Sequence, residues 1–169
     1  MMRRRKFLKN TSSSLAGIYL TPQLISNNKN VDTMRNSISI DQVNSNFVRE
    51  PLARPFGFKG GHITGVWQVV SQLKRADGSS HVGLGAQSVL WSDSRVAARH
   101  SENGGNALMY AMTERALQMI KGQTFETPVA MIDAILDEVL AYGKKITGQA
   151  DLRKTFALNA LVSVDNAAW

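Results

Sequence analysis

The residues that most often perform catalysis are few in this sequence and stand apart from one another. His62, His81 and His100 have no second histidine or carboxylate at a spacing typical of metal ligands. Asp133 and Asp137 lie one helical turn apart, but on the water-facing side of a predicted helix, where a solvated pair is the usual outcome. The absence of cysteine excludes a thiolate nucleophile, a thiolate zinc site and a disulfide framework. We therefore predict no catalytic residue and no metal ligand in these 169 residues.

A glycine-containing run at residues 83–88 superficially resembles a phosphate-binding loop. It lacks the third glycine of such loops, and we expect no helix to open there. Ser88 is not in the G-x-S-x-G context of a nucleophile elbow. We interpret Gly83 and Gly85 as strand positions that allow another backbone to approach closely.

Two predicted loops carry side chains suited to binding a ligand. The first, residues 51–61, joins the first two predicted strands, and the second, residues 87–93, follows the third. Aromatic and polar groups on loops beside a sheet can line a ligand pocket, and they can equally be local packing. The candidate specificity residues are Arg54, Phe56, Phe58, Lys59, Gln87, Trp91 and Ser92.

Runs of apolar and β-branched residues predict the strands that position these loops. A segment with two prolines and three glycines, residues 49–61, predicts a loop between the first two strands. Asp77-Gly78 is typical of a tight hairpin turn between the second and third strands. The sequence therefore predicts a three-stranded antiparallel meander with strands at residues 38–48, 62–73 and 81–90.

After Trp91 the apolar spacing becomes helical and predicts about three helices. Thr127 and Asp151 are predicted N-caps of the second and third helix, and Gly122 is a predicted stop of the first. The expected fold class is α+β, with a helical bundle after the meander. The helices are predicted at residues 106–121, at 128–146 and from about 151 onward. The predicted buried face of the first helix consists of Met109, Met112, Ala116, Met119 and Ile120. That of the second consists of Ile132, Ile135, Leu136, Val139 and Ile146.

The last predicted helix is apolar nearly all round from Phe156, so we expect it to be buried on most sides. The sequence stops inside this apolar run at Trp169, without a glycine, a polar last turn or a cap. We therefore expect these residues to be the front part of a longer protein. The alternative is that the helix end packs into its own core or into a dimer.

The positive charge of the chain is concentrated at its beginning. The whole chain carries +7, from 20 basic and 13 acidic residues. Residues 1–36 hold seven of the basic residues and one acid, which is +6, and residues 37–169 hold the other thirteen and twelve, which is +1. Phosphate-backbone binding requires a clustered basic face, so we predict no nucleic-acid partner. No apolar run approaches the length of a membrane span.

The N-terminus has the layout of a secretory signal. Basic residues are followed by the mildly apolar residues 11–20 and then by a helix-breaking proline. Arg4, Arg5, Phe7 and Leu8 resemble the twin-arginine export motif. We expect residues 1–30 to be an export signal and linker, and the protein to be periplasmic. The alternative is a basic, disordered N-terminal arm.

From about residue 47 to Trp169, the chain resembles the N-terminal capping domain of the enolase superfamily. The meander, the helices after it and the Gly83-Leu84-Gly85 strand end fit that domain. The most specific stretch is residues 157–169, ALNALVSVDNAAW. It is similar to the segment that leads into the barrel of mandelate racemases, muconate cycloisomerases and dipeptide epimerases. The resemblance implies that residues 37–169 form a capping domain.

This resemblance implies a mechanism for a parent enzyme. A base on a (β/α)8 barrel would remove the proton α to a carboxylate, and Mg²⁺ held by barrel carboxylates would stabilise the product. The bases and metal ligands of the family lie beyond Trp169, so these residues would have no activity alone. The implied partners are a small carboxylate substrate, such as a dipeptide or a sugar or hydroxy acid, the chain's own barrel and further copies in a homo-oligomer. The alternative from another class is an exported α+β binding or interaction module that is complete at Trp169.

Overall fold

The structure is a computed structural model that describes residues 37–169, so the candidate export residues lie outside the described residues. Within this range the fold is α+β, which confirms the predicted class: an antiparallel sheet of strand order β3-β2-β1-β4 carries helices on one face. The short fourth strand, which pairs with the start of β1, was not predicted. The elements are β1 (Ile38–Phe58), β2 (Gly61–Arg75), β3 (Ser80–Gln87), α1 (Val89–Ser92), α2 (Ser94–Ile120), β4 (Thr124–Phe125), α3 (Pro128–Thr147) and α4 (Lys154–Ala168).

Strand β1 continues through the segment that the sequence predicts to be a loop. Pro51 pairs with Gly65 and Phe56 with Ile63, so residues 52–55 bulge opposite a single residue of β2. The prolines are tolerated because, among the strands of residues 37–169, β4 pairs with only the first two residues of β1 and no other strand covers the rest of that edge. The prediction of a loop over residues 49–61 is therefore wrong. The true turn is Lys59-Gly60, where φ is positive at both residues, at 49° and 78°.

Strand β3 ends at Gln87, three residues earlier than predicted, because a helix opens there. The Ser88 side chain caps α1 by accepting a hydrogen bond from Trp91 N. Val89 N, at the first turn of α1, donates to Asn106 Oδ1 at 2.7 Å. The expectation that no helix follows the Gly83 run is wrong.

Helix α2 begins at Ser94 and is longer than the predicted helix of residues 106–121. Two helical segments join at a kink at Ser101, where φ is 65°. The residues of the predicted buried face of this helix are buried in the core, except for Met119, which is only partly buried. The helix ends at Ile120, and Gly122 has a φ of 76°, as its predicted role as a stop requires.

Helix α3 begins and ends close to its prediction. Ala130 N donates to Thr127 Oγ1 at 3.0 Å, so the predicted N-cap is confirmed. Gly148 ends the helix in the left-handed conformation, with a φ of 63°. Ile135, Leu136 and Val139 are buried, whereas the other two predicted core residues of this helix are only partly buried.

The start of α4 differs from its prediction. Asp151 does not cap the helix, which begins at Lys154. The Asp151 carboxylate instead pairs with Arg95 and accepts a hydrogen bond from Gln149 Nε2. The remainder of α4 is buried on most sides, as predicted, and Phe156 is fully buried. None of the helices in residues 37–169 combines the length and the apolar character that a membrane crossing demands.

Helix α4 lies directly against β3 because that strand has glycines at the contact. A Cβ atom at Gly83 would lie 2.1 Å from Ser163 O and 2.2 Å from Ala167 N. Beside this contact, the buried Ser71 and Ser163 hydroxyls share a hydrogen bond of 2.8 Å. The predicted close approach of another backbone at these glycines is confirmed.

We predict that Gly83→Ala destabilises the fold by at least about 3 kcal/mol, because backbone atoms of α4 cannot yield to a new Cβ. Gly57→Ala is the matched control: its Cβ would meet only the His62 ring at 3.9 Å, so we expect a change within about 1 kcal/mol. Urea unfolding followed by far-UV circular dichroism measures both. Equal stability of the two variants would contradict this account of the helix–strand contact.

Candidate functional site

The two candidate loops meet at the tip of the β1–β2 hairpin. Lys59 Nζ donates a hydrogen bond of 2.8 Å to Trp91 O in α1. The same ammonium lies 5.4 Å from the ring centroid of Phe58 and 5.9 Å from that of Trp91. These distances are typical of cation–π contacts. Lys59 therefore joins the hairpin tip to α1.

Aromatic rings surround this contact and face the solvent. Phe56 is 57% exposed and Trp91 is 52% exposed. The rings of Phe56 and Phe58 are stacked at a centroid separation of 6.3 Å. Three aromatic rings and one ammonium group can hold and orient a ligand with an apolar part and an anionic group. We call Phe56, Phe58, Lys59 and Trp91 the tip cluster.

The other candidate residues do not join the tip cluster. Gln87 is buried and its Nε2 donates to Thr113 Oγ1 at 2.7 Å. Ser92 is also buried, and its Oγ donates to Asn159 Oδ1 at 3.0 Å. Both side chains therefore fix the second loop from inside and are not presented to a ligand. Arg54 is exposed on the bulge of β1.

Asn159 in α4 holds the second loop, and sequence reasoning did not find it. Its Oδ1 accepts hydrogen bonds from Ser88 N at 2.9 Å and from the Ser92 hydroxyl. Its Nδ2 donates to Ala86 O at 2.9 Å. One side chain thus bonds to the end of β3 and to both ends of α1. No local pattern signals this role, because its partners lie about seventy residues away along the chain.

An open groove of about 420 Å³ lies between the hairpin tip and the start of α2, lined in part by Lys59, His62, Arg95 and Glu102. The Glu102 carboxylate accepts hydrogen bonds from the backbone N–H and the hydroxyl of Thr64. These bonds hold β2 opposite the bulge of β1 and so fix the base of the hairpin tip. Sequence reasoning also missed Glu102, which lies at the kink of α2.

A buried carboxylate, Asp93, links α1 to the start of α2 and α4. Its oxygens accept hydrogen bonds from Arg95 Nε at 2.9 Å, from Arg95 Nη2 at 2.8 Å and from Arg153 N at 3.2 Å. Burial alone would raise the pKa of Asp93, but the hydrogen bonds from Arg95 and Arg153 outweigh it and hold the pKa below its ordinary value. The hydrogen bond from Arg153 N attaches the residue just before α4 to Asp93, and no side chain caps that helix.

The described residues offer contacts for a ligand at the tip cluster. Across residues 37–169, no group of three or more histidine, aspartate or glutamate side chains is placed to hold a metal ion. His100 Nε2 is hydrogen-bonded to Thr147 O at 2.8 Å, which places it at the C-terminus of α3 and away from the tip cluster.

Several solved structures resemble this chain, although no family model matches its sequence and no curated protein matches it. A mutant of L-talarate/galactarate dehydratase, liganded with Mg and L-glucarate, matches 94% of this chain and 35% of its own, at 18% identity and a TM-score of 0.51. The dipeptide epimerase from Enterococcus faecalis V583 matches 78% of this chain and 30% of its own, at 17% identity and a TM-score of 0.43. A mandelate racemase/muconate lactonizing protein from Herpetosiphon aurantiacus gives the same coverages and identity and a TM-score of 0.42.

The match to the dehydratase mutant shows that this chain shares its fold with part of that enzyme. The resemblance predicted from the sequence is confirmed, at the level of the fold, by this match. The chain spans about a third of the length of the structures it matches.

We predict that Asp93→Asn destabilises the protein by about 2 kcal/mol at neutral pH, because the buried side chain loses its charge-assisted hydrogen bonds from Arg95 and Arg153 N. The folded-state pKa of Asp93 lies below the ordinary value of 3.8. The stabilisation by its charge is therefore present above that value and is lost as the pH falls through the folded pKa. The stability difference between wild type and variant should shrink below about pH 4. Urea unfolding across pH 2.5 to 7 measures this difference.

The exposed Asp133 on α3 provides the matched control for Asp93. Asp133→Asn should change the free energy of unfolding by less than about 0.5 kcal/mol at every pH. A pH-independent loss of stability in Asp93→Asn would show that the charge of Asp93 does not contribute.

Proposed function

We propose that residues 37–169 are the substrate-capping part of an enolase-superfamily enzyme of the racemase, epimerase or dehydratase type. The observation that carries the proposal is the contact of Lys59 with Trp91, which joins the two candidate loops into one exposed cluster. The match over 94% of this chain to a sugar-acid dehydratase supports the fold on which this cluster stands. The reaction class is removal of the proton α to a carboxylate.

In this proposal the described residues bind and orient the substrate, and other residues of the enzyme perform the chemistry. A magnesium ion would supply charge stabilisation at the substrate carboxylate. The described residues do not fit a magnesium site, so its ligands and the base would come from a barrel domain. Closure of the tip cluster over the barrel mouth would exclude water from the reacting carbon.

The tip cluster favours a substrate with a second polar group at some distance from the reacting carboxylate. Lys59 uses one ammonium hydrogen on Trp91 O, which leaves two for a ligand. Phe56 and Trp91 offer exposed rings beside it. A dipeptide or a sugar or hydroxy diacid combines an α-carboxylate with such a distal group, and we propose this substrate class.

The proposed barrel would contact the exposed side of α4. Leu158, Val162 and Trp169 form an exposed apolar row along that helix. The Trp169 indole N–H donates to Asp165 Oδ1 at 3.2 Å. An apolar row of this kind on an otherwise buried helix is suited to packing against a further domain.

The second candidate function is an exported binding or interaction module. It is favoured by the burial of most of α4 in the core of the described residues themselves, with Phe156, Ala160 and Val164 fully covered. A fold that covers its own last helix does not depend on a barrel for its core. The two candidates differ in whether the gene encodes a barrel after residue 169.

We predict that the protein encoded by the complete reading frame containing these residues exchanges the α-proton of a dipeptide or sugar acid for deuterium. The reaction is run in D₂O in the presence of Mg²⁺, and ¹H NMR follows the exchange. Trp91→Ala and Phe56→Ala should each lower kcat/KM about ten-fold, because each removes one exposed ring from the tip cluster. Val129→Ala, at an exposed valine on α3, is the matched control and should leave kcat/KM unchanged.

A stop codon directly after codon 169, or equal activity of Trp91→Ala and Val129→Ala, would contradict the capping role. Micromolar binding of such a substrate by residues 37–169 alone would favour the second candidate.

We also propose that residues 1–30 direct export to the periplasm by the twin-arginine route. The support is the spacing of Arg4, Arg5, Phe7 and Leu8 within a basic start. The double variant Arg4→Lys/Arg5→Lys preserves the charge and should abolish periplasmic accumulation, as measured by fractionation and immunoblotting. Arg3 lies outside the pair, so the Arg3→Lys variant should be exported normally. Unchanged export of the double variant would exclude this route.

A further inference from the structure

Ser101, at the kink of α2, has a backbone conformation that is ordinary for glycine and strained for serine. Its φ is 65° and its ψ is 171°. This combination lies in a region of backbone space that is occupied almost entirely by glycine, and any other residue held there raises the free energy of the folded state. Such a conformation persists only where surrounding contacts enforce it, so the neighbours of Ser101 must supply those contacts.

Local structure accounts for the ψ of Ser101 but not for its φ. The Ser101 hydroxyl accepts a hydrogen bond from Gly104 N at 3.2 Å, which makes Ser101 the N-cap of the second segment of α2. An N-cap normally has an extended backbone with a negative φ, as Ser88 has at the start of α1, with a φ of −144° and a ψ of 104°. Capping alone would therefore give Ser101 a negative φ. The positive value turns the second segment in another direction.

The first segment of α2 is attached to the C-terminus of α3 just before Ser101. Arg99 Nη1 donates a hydrogen bond to Gly148 O at 3.0 Å. His100 Nε2 is hydrogen-bonded to Thr147 O at 2.8 Å. Because these two residues are held in place, the direction of the second segment depends on the backbone rotation at Ser101.

The first turn after Ser101 contacts both loops that carry the tip cluster. The Glu102 carboxylate accepts a hydrogen bond of 2.9 Å from Thr64 N, at the bulge where Thr64 has no pairing residue on β1. Asn106 Oδ1 accepts a hydrogen bond of 2.7 Å from Val89 N in α1. Residues four apart lie on the same face of a helix. One face of α2 therefore holds the hairpin through Glu102 and α1 through Asn106.

We propose that Ser101 is a positioning residue for the tip cluster. Its rotation directs Glu102 to the hairpin and Asn106 to α1, and these hydrogen bonds in turn hold Ser101 in its strained conformation. If the bond between Glu102 and Thr64 is broken, Ser101 can return to a negative φ, and the hairpin tip then moves away from α1. Only the use of this arrangement for a substrate rests on the proposed function, whereas the coupling of Ser101 to Glu102 does not.

Urea unfolding of the 169-residue chain, followed by far-UV circular dichroism, tests whether Ser101 is strained. Ser88→Gly is the matched control, because it makes the same substitution at an N-cap whose φ is ordinary. Both variants lose a cap and gain unfolded-state entropy, but only Ser101→Gly also relieves a positive φ. The unfolding equilibrium constant of Ser101→Gly should therefore be at least about five-fold lower than that of Ser88→Gly. Equal or lower stability of Ser101→Gly would overturn the proposal.

A second background tests whether Glu102 maintains the strain. Glu102→Ala removes the bond to Thr64, so Ser101 can relax, and adding Ser101→Gly should then change the unfolding equilibrium constant by less than about two-fold. Glu126→Ala, at an exposed glutamate between β4 and α3, is the matched control, and Ser101→Gly should keep its full effect there. The same effect of Ser101→Gly in both backgrounds would show that Glu102 is not coupled to Ser101 and would overturn the proposal.

The position of the hairpin tip is measured at Trp91, whose carbonyl accepts a hydrogen bond from Lys59 and whose ring lies beside that ammonium group. In ¹H–¹⁵N spectra the indole resonance of Trp91, assigned with Trp91→Phe, should shift in Glu102→Ala and stay in place in Glu126→Ala. An unchanged resonance in Glu102→Ala would overturn the positioning role. No substrate enters these measurements, so a negative proton-exchange assay would bear on the proposed function alone.

Discussion

The contact of α4 with β3 is the constraint on which the rest of this structure depends. Because Gly83 has no Cβ, the backbone of α4 lies against the strand at a distance that no other residue permits. The buried bond between Ser71 and Ser163 fixes the helix along the sheet. At this short distance between α4 and the sheet, Asn159 lies at the end of β3, within hydrogen-bonding distance of the loop that follows.

The position of α4 determines the position of the candidate site through a short series of hydrogen bonds. Asn159 fixes both ends of α1, and Asp93, which follows α1, accepts from Arg153 N at the start of α4. Helix α1 is therefore held at both ends by the helix that packs on the sheet. Its one strongly exposed side chain, Trp91, is presented from a fixed backbone, to which the hairpin tip is attached through Lys59. Binding surfaces built on such fixed elements lose little entropy when a ligand is bound.

Local patterns predicted the parts of this fold that local interactions determine. The turn at Asp77-Gly78 and the cap at Thr127 depend on residues within four positions, and both were predicted correctly. The extension of β1 past Pro51 was missed because the pairing partner, and not the segment, decides whether a proline fits a strand. Ser92 was predicted to face a ligand, but it is buried and hydrogen-bonded to Asn159. Because Asn159 lies far along the chain, no local pattern indicates this contact. Tertiary contacts override local propensity at these positions.

The tip cluster lies on the same side of the sheet as the helices that hold it in place. Lys59 contacts α1, and α1 packs against α2 and α4, so the tip cluster is on the side of the sheet that carries the helices. Leu84 and its neighbours point to the other side. A ligand that reaches the exposed Trp91 ring therefore approaches from the side of the sheet that carries the helices.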